Sequence, residues 1–420
     1  MITKARNPWI SFFLTFFFPG LGQLYNGQLT KAITFLFVSI LIPSTFGLTN
    51  LIIYPSGFIA FILLSILFLL YRCTDAVIVS IKKSDYTLMK FNSWIVYWGY
   101  IVLTIGISLL LDYSKVLGVQ SFSIPTPSMK SSLLIGDRFT AKLINAPEKE
   151  ISRGNIIIFY VPPHQLSDNA ESIESKTPYV MRCVGLPGEN LKIKNGDILI
   201  NDRVLYNKND FGSSYTVESN ALLSNKTLEN LYLSPEDFIV EDRPSDDQVN
   251  YIMWITSNKA EELKNLPFIR SVSPQEHMNG GVFPFTYYNK HSTESDNDLG
   301  WTLDDFGPLW IPKKDKTIAI NDSTLLLFGD IITQYEHHPD VQIIDKKLLI
   351  SNKEVLSYTF KQNYYFVLGD NRHNALDSRY WGFVPEDHIF GKALFTWLSI
   401  NPDKKFPNKI RWERSFKMIE

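Results

Sequence analysis

The segment SFSIPTPSMKSSLLIGDRF, residues 121 to 139, comes directly after the last apolar run that is long enough to cross a membrane. Pro125 and Pro127 each fix a backbone φ angle and lack an N–H donor, so Ser128 should lie on an irregular, stiffened turn outside any strand ladder. A serine presented in this way is exposed. Because serine is also a common turn residue for structural reasons alone, a catalytic role for Ser128 depends on its neighbours.

The composition on the two sides of this segment differs. Hydrophobic residues make up 45% of the 420 positions and aromatic residues 14%, and both are concentrated in residues 1–112. The rest of the chain has frequent Gly and Asn turn signals between short apolar runs, which is typical of a β-rich protein. We therefore predict N-terminal transmembrane helices over residues 1–112, followed by a mainly-β extracytoplasmic domain.

Charge and cysteine content exclude several classes of function. The net charge of -2 gives no electrostatic reason to expect a nucleic-acid partner. Cys73 and Cys183 lie in different predicted regions, which excludes a disulfide scaffold and a cysteine-rich metal site. Glu336-His337-His338 lacks an HExxH pattern, so we interpret it as a solvated loop. We expect no metal and no cofactor.

Three apolar runs are candidate membrane spans, at 32–49, 57–71 and 92–111. The run at 9–25 is interrupted by Pro19-Gly20 and is too short to span, so we interpret it as a re-entrant or interfacial segment. The glycines of its PGLGQLYNG motif are interpreted as positions of close helix approach.

Basic residues lie at alternate ends of these runs. If they all face the cytoplasm, the chain crosses three times and the residues after 112 lie outside the membrane. The basic residues concerned are Lys4, Arg6, Lys31, Arg72, Lys82, Lys83 and Lys90.

The body shows strand and turn signals in two blocks, 113–205 and 336–420. Asn195-Gly196 joins two alternating runs as a hairpin, and 341–360 reads as a second hairpin unit. Between the blocks, 206–335 mixes short strands, acidic loops and a helical piece, so we predict an inserted α+β subdomain.

A dense group of charges lies near the C-terminus, between two apolar strands. Charges so close to a core are costly unless they are paired, so we expect a buried ion network in which Arg182 takes part. The polar residues of this group are Asp370, Asn371, Arg372, Asp377, Ser378 and Arg379.

Five blocks in this order, behind membrane spans, resemble bacterial type I signal peptidase (leader peptidase). The resemblance covers 119–205 and 340–400, and the large insert is similar to the version in Bacteroidetes-type bacteria. The blocks are PSM after a Pro-containing turn, LLIGDRF, RGNIIIF, YVMRCVGLPGE and GDNRHNALDSRYWGFVPEDHIFGKA.

The resemblance implies a multi-pass serine endopeptidase of the cytoplasmic (inner) membrane, whose C-terminal domain lies on the periplasmic side and cuts signal peptides from exported preproteins. It also implies a coiled antiparallel β fold that rests on the lipid bilayer and holds its substrate as an added strand. By motif position, Ser128 is the nucleophile, Thr126 helps to stabilise the oxyanion, and Met129 lines the substrate cleft.

Two positions depart from the family pattern. The general base of this family is a buried lysine, and Met181 occupies its position. A thioether cannot accept the proton of a serine hydroxyl. Ala375 occupies the position of the serine that orients the lysine amine. The two replacements together indicate that the base and its partner are both lost.

The sequence leaves two functions open. One is an active signal peptidase with an unconventional base, for which Lys130, Lys142 and Lys176 are the candidates. The other is a catalytically impaired paralogue that binds signal peptides or assists assembly in protein export. Ala375 argues against an engineered single change at Met181, and the scarcity of intramembrane charges argues against a transporter.

Overall fold

Helices precede sheets along the chain. α-Helices dominate up to residue 117, and antiparallel strands dominate from residue 119 onward, as predicted. The structure is a computed structural model that describes residues 5–83, 86–145, 150–161, 177–231, 233–245, 247–275, 283 and 299–419.

The N-terminal helices differ in length. Within the described residues, two are long and apolar enough to cross a membrane, Leu29–Leu48 and Pro55–Lys82, and two shorter ones are also apolar, Pro8–Phe17 and Trp94–Leu110. In chain order the helices are α1 Pro8–Phe17, α2 Leu21–Tyr25, α3 Leu29–Leu48, α4 Pro55–Lys82, α5 Trp94–Leu110 and α6 Tyr113–Leu117.

The predicted interruption at Pro19-Gly20 separates α1 from α2 and is confirmed. Gly20 has a φ of 87°, in the left-handed region that favours glycine. A Cβ on Gly20 would lie 2.3 Å from the Ala32 carbonyl oxygen, so the absence of a side chain permits the contact with α3. This contact agrees with the interpretation of the motif's glycines as positions of close approach.

Helix α4 is longer than the predicted span 57–71 and continues to Lys82. Its additional turns carry Asp75, whose charge is costly inside a membrane without partners. Lys31 Nζ lies 2.7 Å from Asp75 Oδ1, and Gln23 Nε2 donates a hydrogen bond to Asp75 Oδ2 at 3.2 Å. These contacts from α2 and α3 pair the charge that the extended part of the helix carries.

The two long apolar helices contact the β body at one end. The ring of Phe58, near the start of α4, lies 5.5 Å from the ring of Phe395 between centroids. A Cβ on Gly47, near the end of α3, would lie 1.9 Å from the Val116 carbonyl oxygen. The C-terminal end of α3 and the N-terminal end of α4 therefore face the body, and their other ends lie a helix length away.

The largest sheet forms the centre of the body. Its strands are β1 Val119–Ser123, β2 Asp137–Leu143, β3 Ile156–Tyr160, β4 Pro178–Gly185, β18 Tyr364–Leu368, β19 Val384–Pro385, β20 Ile389–Ser399 and β21 Lys417–Met418. They are arranged in the order β1-β2-β20-β3-β4-β18-β19, with β21 paired to β20, and neighbours are antiparallel.

The register of β4 depends on burial of its neighbour β3. Residues 156–159 of β3 are buried without alternation, which is typical of a strand covered on both faces. Ile157 pairs with Met181 of β4, and both side chains are buried in the same apolar cluster. A one-residue slip would move the side chains of β4 to the opposite face, so this packing determines where Met181 lies.

The two predicted hairpins lie in different sheets, the first in a second sheet of four strands and the second in a separate sheet of three strands. Asn195 and Gly196 have φ angles of 51° and 84°, and they join β5 to β6, so the first predicted hairpin is confirmed. The second hairpin is confirmed by antiparallel pairing within 341–354. The second sheet consists of β5 Asn190–Lys194, β6 Asp197–Ile200, β7 Arg203–Tyr206 and β12 Phe306–Trp310. The three-stranded sheet consists of β14 Val341–Ile344, β15 Lys347–Ile350 and β16 Lys353–Glu354.

Residues 213–274 form a third sheet with its own apolar cluster, which includes Val217, Tyr251 and Leu263. Its elements are β8 Ser213–Ser219, α7 Asn225–Asn230, β9 Phe238–Ser245, β10 Gln248–Ile255, α8 Ser257–Lys264 and β11 Ile269–Pro274. The strands are arranged in the order β11-β8-β10-β9.

The last part of the predicted insert packs elsewhere. Strand β12 pairs with β5, and Phe328 lies in the apolar cluster of the second sheet. Both ends of 206–335 thus pack with the second sheet, since Tyr206 ends β7 of that sheet, while 213–274 form a sheet of their own. The remaining elements are β13 Thr317–Ala319, α9 Asp322–Gln334, β17 Ser357–Thr359, which pairs with β13, and α10 Ser378–Trp381.

The interpretation of Glu336-His337-His338 as a solvated loop is wrong for Glu336. This carboxylate is fully buried and accepts hydrogen bonds from the hydroxyls of Tyr358 and Tyr364 at 2.9 and 2.6 Å. His337 is exposed. Glu336 therefore connects strand ends inside the core, a position that the polar sequence around it does not indicate.

Candidate active site

Ser128 is the middle residue of a one-turn 3₁₀ helix, Pro127–Met129. Thr126 Oγ1 lies 3.1 Å from Ser128 Oγ, within hydrogen-bond distance. On the other side of the turn, Asn371 donates its backbone N–H to the Ser128 carbonyl at 3.0 Å and its Nδ2–H to the Pro127 carbonyl at 3.2 Å. The turn is therefore held through two backbone carbonyls, and these contacts do not use the serine hydroxyl.

Met129 packs inward from the same turn. Its side chain is 1% exposed and belongs to the apolar cluster that also contains Met181. This burial anchors the turn to the large sheet. The predicted role of Met129 in lining the substrate cleft stays a prediction, as does the role of Thr126 towards an oxyanion.

Met181 and Ala375 both adjoin the serine turn, Met181 through the apolar cluster that it shares with Met129. Met181 is 2% exposed, in β4, beside Ile157. A Cβ on Gly369 would lie 2.2 Å from the Ala375 Cβ and 2.8 Å from the Ser128 carbonyl oxygen, so Ala375 adjoins the backbone of Ser128. Both replacements put apolar groups beside the turn, and neither side chain can accept a proton.

The lysines considered as substitute bases are engaged elsewhere. Lys130 Nζ forms an ion pair with Asp237, and Lys142 Nζ lies 2.5 Å from Glu150 Oε2. Lys176 lies outside the described residues. Among the residues that the structure describes, Thr126 is the only hydrogen-bond partner of the Ser128 hydroxyl.

The sequence reasoning missed Lys392 of β20. It pairs with Ile157 of β3, which pairs with Met181, so the three side chains share one row across the sheet. Burial, and then the charge of Lys142, lower the pKa of Lys392. Two strand spacings still separate Lys392 from Met181, roughly 10 Å between backbones. A lysine within the apolar run of β20 was the signal that could have identified it.

The expected ion network contains a strong pair behind the turn. Arg182 Nη2 lies 2.8 Å from Asp370 Oδ2, and the side chains are 9% and 0% exposed. Burial opposes the charge of Arg182, but the hydrogen bonds that Arg182 donates to Asp370 outweigh the effect of burial, so the pKa of Arg182 is raised. Ser132 Oγ also donates to Asp370 Oδ2 at 2.5 Å. This pair therefore ties the segment after Ser128 to β4.

A second buried pair stabilises the loop after β18. Arg379 Nη2 lies 2.8 Å from Asp377 Oδ2, and both side chains are buried. Asp377 Oδ2 also accepts the backbone N–H of Gly369 at 3.1 Å, and Ser378 Oγ accepts that of Val367 at 3.0 Å. These bonds hold the loop that carries Ala375 against the end of β18.

Arg372 joins this network without a carboxylate partner in the described part of the chain. Its guanidinium lies 3.8 Å from the centroid of the Phe211 ring, and Arg379 donates a hydrogen bond to its carbonyl oxygen. Burial, and then the charge of Arg379, lower the pKa of Arg372 to about 9. The predicted single network is thus two ion pairs with a stacked arginine between them.

Comparison with known proteins agrees with this arrangement. The family model described as signal peptidase, peptidase S26, matches residues 94–248 and 311–398, which is more than half of the chain. The chain belongs to this family. The match includes the serine turn, β4 and the GDNR loop, so the resemblance to bacterial type I signal peptidase is confirmed.

Several relatives of this signal peptidase family member are named Signal peptidase I. That of Buchnera aphidicola subsp. Baizongia pistaciae is 27% identical over 311 residues, 70% of this chain and 75% of the relative. That of Buchnera aphidicola subsp. Acyrthosiphon pisum is 24% identical over 298 residues, 70% and 73% of the two chains. That of Haemophilus influenzae is 33% identical over 106 residues, 24% and 29%.

Proposed function

We propose that this signal peptidase family member binds the signal peptides of exported preproteins at a membrane but cleaves them slowly or not at all. The observation that carries the proposal is the burial of Met181 at the position of the general base, while the Ser128 hydroxyl contacts Thr126. Serine attacks a carbonyl efficiently only when a neighbouring base takes its proton. Loss of a general base lowers the rate by about 10²- to 10⁴-fold.

Substrate binding does not need that base. Strand β1 is an end strand of the large sheet and pairs with β2 along one edge. Its other edge can accept an extended peptide as an added strand, through backbone hydrogen bonds. Because β1 leads directly into the turn with Thr126 and Ser128, a peptide added there would pass the serine hydroxyl.

The proposed location follows from the helix ends. The ends of α3 and α4 that contact the body are apolar, and the opposite ends carry Lys31 and Lys82. By the positive-inside rule, those basic ends face the cytoplasm. With α5 as a third crossing, the body lies on the periplasmic side of the cytoplasmic membrane, and within 206–335 the residues 213–274 form an α+β insert.

The proposal is tested with a fluorescent signal peptide that extends past its cleavage site, added to the full-length protein in lipid nanodiscs. Wild type and Ser128→Ala should bind it with equal affinity, and mass spectrometry should find the peptide intact over the time in which an active signal peptidase digests it. Failure of both proteins to bind would contradict the proposal. So would cleavage by the wild type at the rate of an active signal peptidase that is absent in Ser128→Ala.

A second candidate is an active endopeptidase that uses Lys392. The favourable observations are the lowered pKa of Lys392 and its row shared with Met181. The distance of two strands and the intervening Ile157 side chain argue against it. Lys392→Met decides between the two: cleavage that disappears in this variant supports the second candidate.

A further inference from the structure

A polar cavity of about 180 Å³ is lined by the segment that follows the serine turn, by β20 and by the C-terminal residues around β21. A water molecule occupies about 30 Å³ in the liquid, so the cavity is large enough for a group of several heavy atoms. Among the lining residues that the structure describes there is no carboxylate. Five of them have polar side chains, which are Ser131, Ser132, Thr396, Arg414 and Lys417.

Pairing of β20 with β21 brings a hydroxyl and an ammonium group together at this cavity. Thr396 of β20 is paired with Lys417 of β21. Paired residues of antiparallel strands point to the same face of the sheet, so the two side chains are neighbours. Thr396 is 3% exposed, whereas Lys417 is exposed. The sheet therefore fixes the hydroxyl, and the ammonium group lies at the opening.

The two serines line the cavity from the other side. Ser132 Oγ donates a hydrogen bond to Asp370 and accepts one from Arg182 Nη2 at 2.7 Å, so its position is fixed by the buried ion pair. Ser131 Oγ lies 3.5 Å from the Asp370 carbonyl oxygen, a long and weak contact. The hydroxyl of Ser131 is thus available to a stronger acceptor.

The charges around the cavity leave a positive surplus. Arg414 Nη2 lies 2.7 Å from Asp137 Oδ2, and Arg411 Nη1 lies 4.0 Å from Asp137 Oδ1, so two guanidinium groups share one buried carboxylate. Lys417 forms no ion pair within the part of the chain that the structure describes. Glu413 is exposed, and solvent screens its charge. An anion from outside the chain would therefore be attracted to the cavity.

Arg414 has donors to spare for such an anion. Its Nη2 donates both of its hydrogen bonds, to the Ser132 carbonyl at 2.8 Å and to Asp137. Among the described residues, none accepts a hydrogen bond from Arg414 Nη1, and this group is not sealed from solvent. Arginine and lysine together bind phosphate groups well, arginine through its N–H fork and lysine as a point charge.

The cavity lies at the end of the body that contacts the membrane helices. Phe395, next to Thr396 in β20, has its ring 5.5 Å from that of Phe58 in the first turn of α4. Trp412, two residues before Arg414, is 65% exposed, and exposed tryptophans are enriched where a membrane meets water. Lipid headgroups lie directly outside the hydrocarbon layer, so a headgroup phosphate is within reach of this part of the body.

We propose that this cavity binds a phosphate group, carried by a phospholipid headgroup or present as the free ion. Two cations and two hydroxyls around one space suit a tetrahedral group with four oxygens better than a planar carboxylate with two. The bound phosphate connects β21 to the segment after Ser128, and so stabilises the C-terminal end of the body. The proposal does not depend on peptide cleavage, since neither Ser128 nor Met181 lines the cavity.

The test uses the full-length protein in a detergent that contains no phosphate. Inorganic phosphate, short-chain phosphatidylglycerol and the diacylglycerol that lacks its phosphate are titrated separately, and sodium chloride keeps the ionic strength constant so that screening stays equal. We expect a ligand with a phosphate group to raise the unfolding temperature as its concentration increases, and diacylglycerol to have no effect. Native mass spectrometry should find one added phosphate group per protein.

Two variants test the lining. Lys417→Gln removes a cation and Thr396→Val removes the hydroxyl beside it, and each should weaken phosphate binding about 10-fold, the value of one hydrogen bond to a charged group. Lys404→Gln is the matched control, because Lys404 is exposed in the same C-terminal segment and does not line the cavity. Its affinity should equal that of the wild type. Thermal unfolding without ligand checks that each variant is folded.

The outcomes identify the source of the phosphate or overturn the proposal. Tighter binding of phosphatidylglycerol than of inorganic phosphate identifies a headgroup, and the reverse order identifies the free ion. Binding of neither overturns the proposal, as does wild-type affinity in both folded variants, Lys417→Gln and Thr396→Val. An equal effect of diacylglycerol and phosphatidylglycerol also overturns it, because the lipid tails would then account for the binding.

Discussion

The candidate site has two parts of opposite character, a serine side and a base side. The serine side keeps its hydroxyl pair between Ser128 and Thr126 and its backbone bonds to Asn371. The base side consists of Met181 and Ala375, which are apolar and belong to the packing of the core. The comparison shows that the geometry of the turn does not depend on a base.

The physical reason lies in what holds the turn. Its backbone carbonyls bind Asn371, and the next segment is tied by Ser132 to the Arg182–Asp370 pair. None of these contacts involves the position of Met181. A protein can therefore lose the proton acceptor and retain the surface that presents the serine, which is the arrangement expected of a binding protein derived from a peptidase.

The largest effect is expected when the base side is rebuilt. Met181→Lys with Ala375→Ser places an amine and its orienting hydroxyl beside Ser128, and should raise kcat/KM for a signal-peptide substrate by about 10²- to 10⁴-fold. Cleavage is followed by mass spectrometry. An unchanged rate would show that the lack of an amine and its orienting hydroxyl is not what limits cleavage.

Two controls accompany this variant. Adding Ser128→Ala should abolish the gained cleavage. Because burial lowers the pKa of the introduced amine below the usual lysine value of about 10.4, the rate should rise with pH through that lowered pKa, as the amine loses its proton. A gain without this pH profile would point to another base.

The next effect concerns the pair that supports the turn. Asp370→Ala leaves the buried Arg182 charge without its partner, and should lower the free energy of unfolding by about 3 to 5 kcal/mol. Denaturant unfolding in detergent measures it. Combining it with Arg182→Met should recover part of the loss, and a single-variant cost below about 1 kcal/mol would show that the turn does not depend on this pair.

Thr126 is expected to matter only after a base is present. In the Met181→Lys, Ala375→Ser protein, Thr126→Val should lower kcat by about 10²- to 10³-fold, the usual result of removing one oxyanion donor. Thr126→Ser should retain most of the activity because it keeps the hydroxyl. Equal rates for the valine and serine variants would reject the proposed role of Thr126.

The smallest effect is expected from Met181→Leu in the natural protein. The two side chains have similar volumes, so the cost in unfolding free energy should stay below about 1.5 kcal/mol. Signal-peptide binding should not change. A loss of binding would mean that the thioether itself contacts the substrate. The base side would then take part in substrate binding together with the serine side.

Local patterns in the sequence predicted much of this architecture. Pro19-Gly20 interrupts the first apolar run because proline and glycine act on their own backbone, and Asn195-Gly196 forms a hairpin for the same reason. The pairing of Arg182 with Asp370 could be anticipated from the cost of buried charge. The extent of α4 could not, since Asp75 is compensated by Lys31 from another helix.

The sequence by itself determined the family and the serine turn, and it predicted that Met181 stands at the lysine position, because each depends on the identity of residues within short motifs. The tertiary structure alone decided which lysines are available and what adjoins the turn. Lys130 is bound by Asp237, more than a hundred positions later, and Lys392 shares a row with Met181 through a third strand. Such contacts join segments that are far apart in the chain, and no local pattern encodes them.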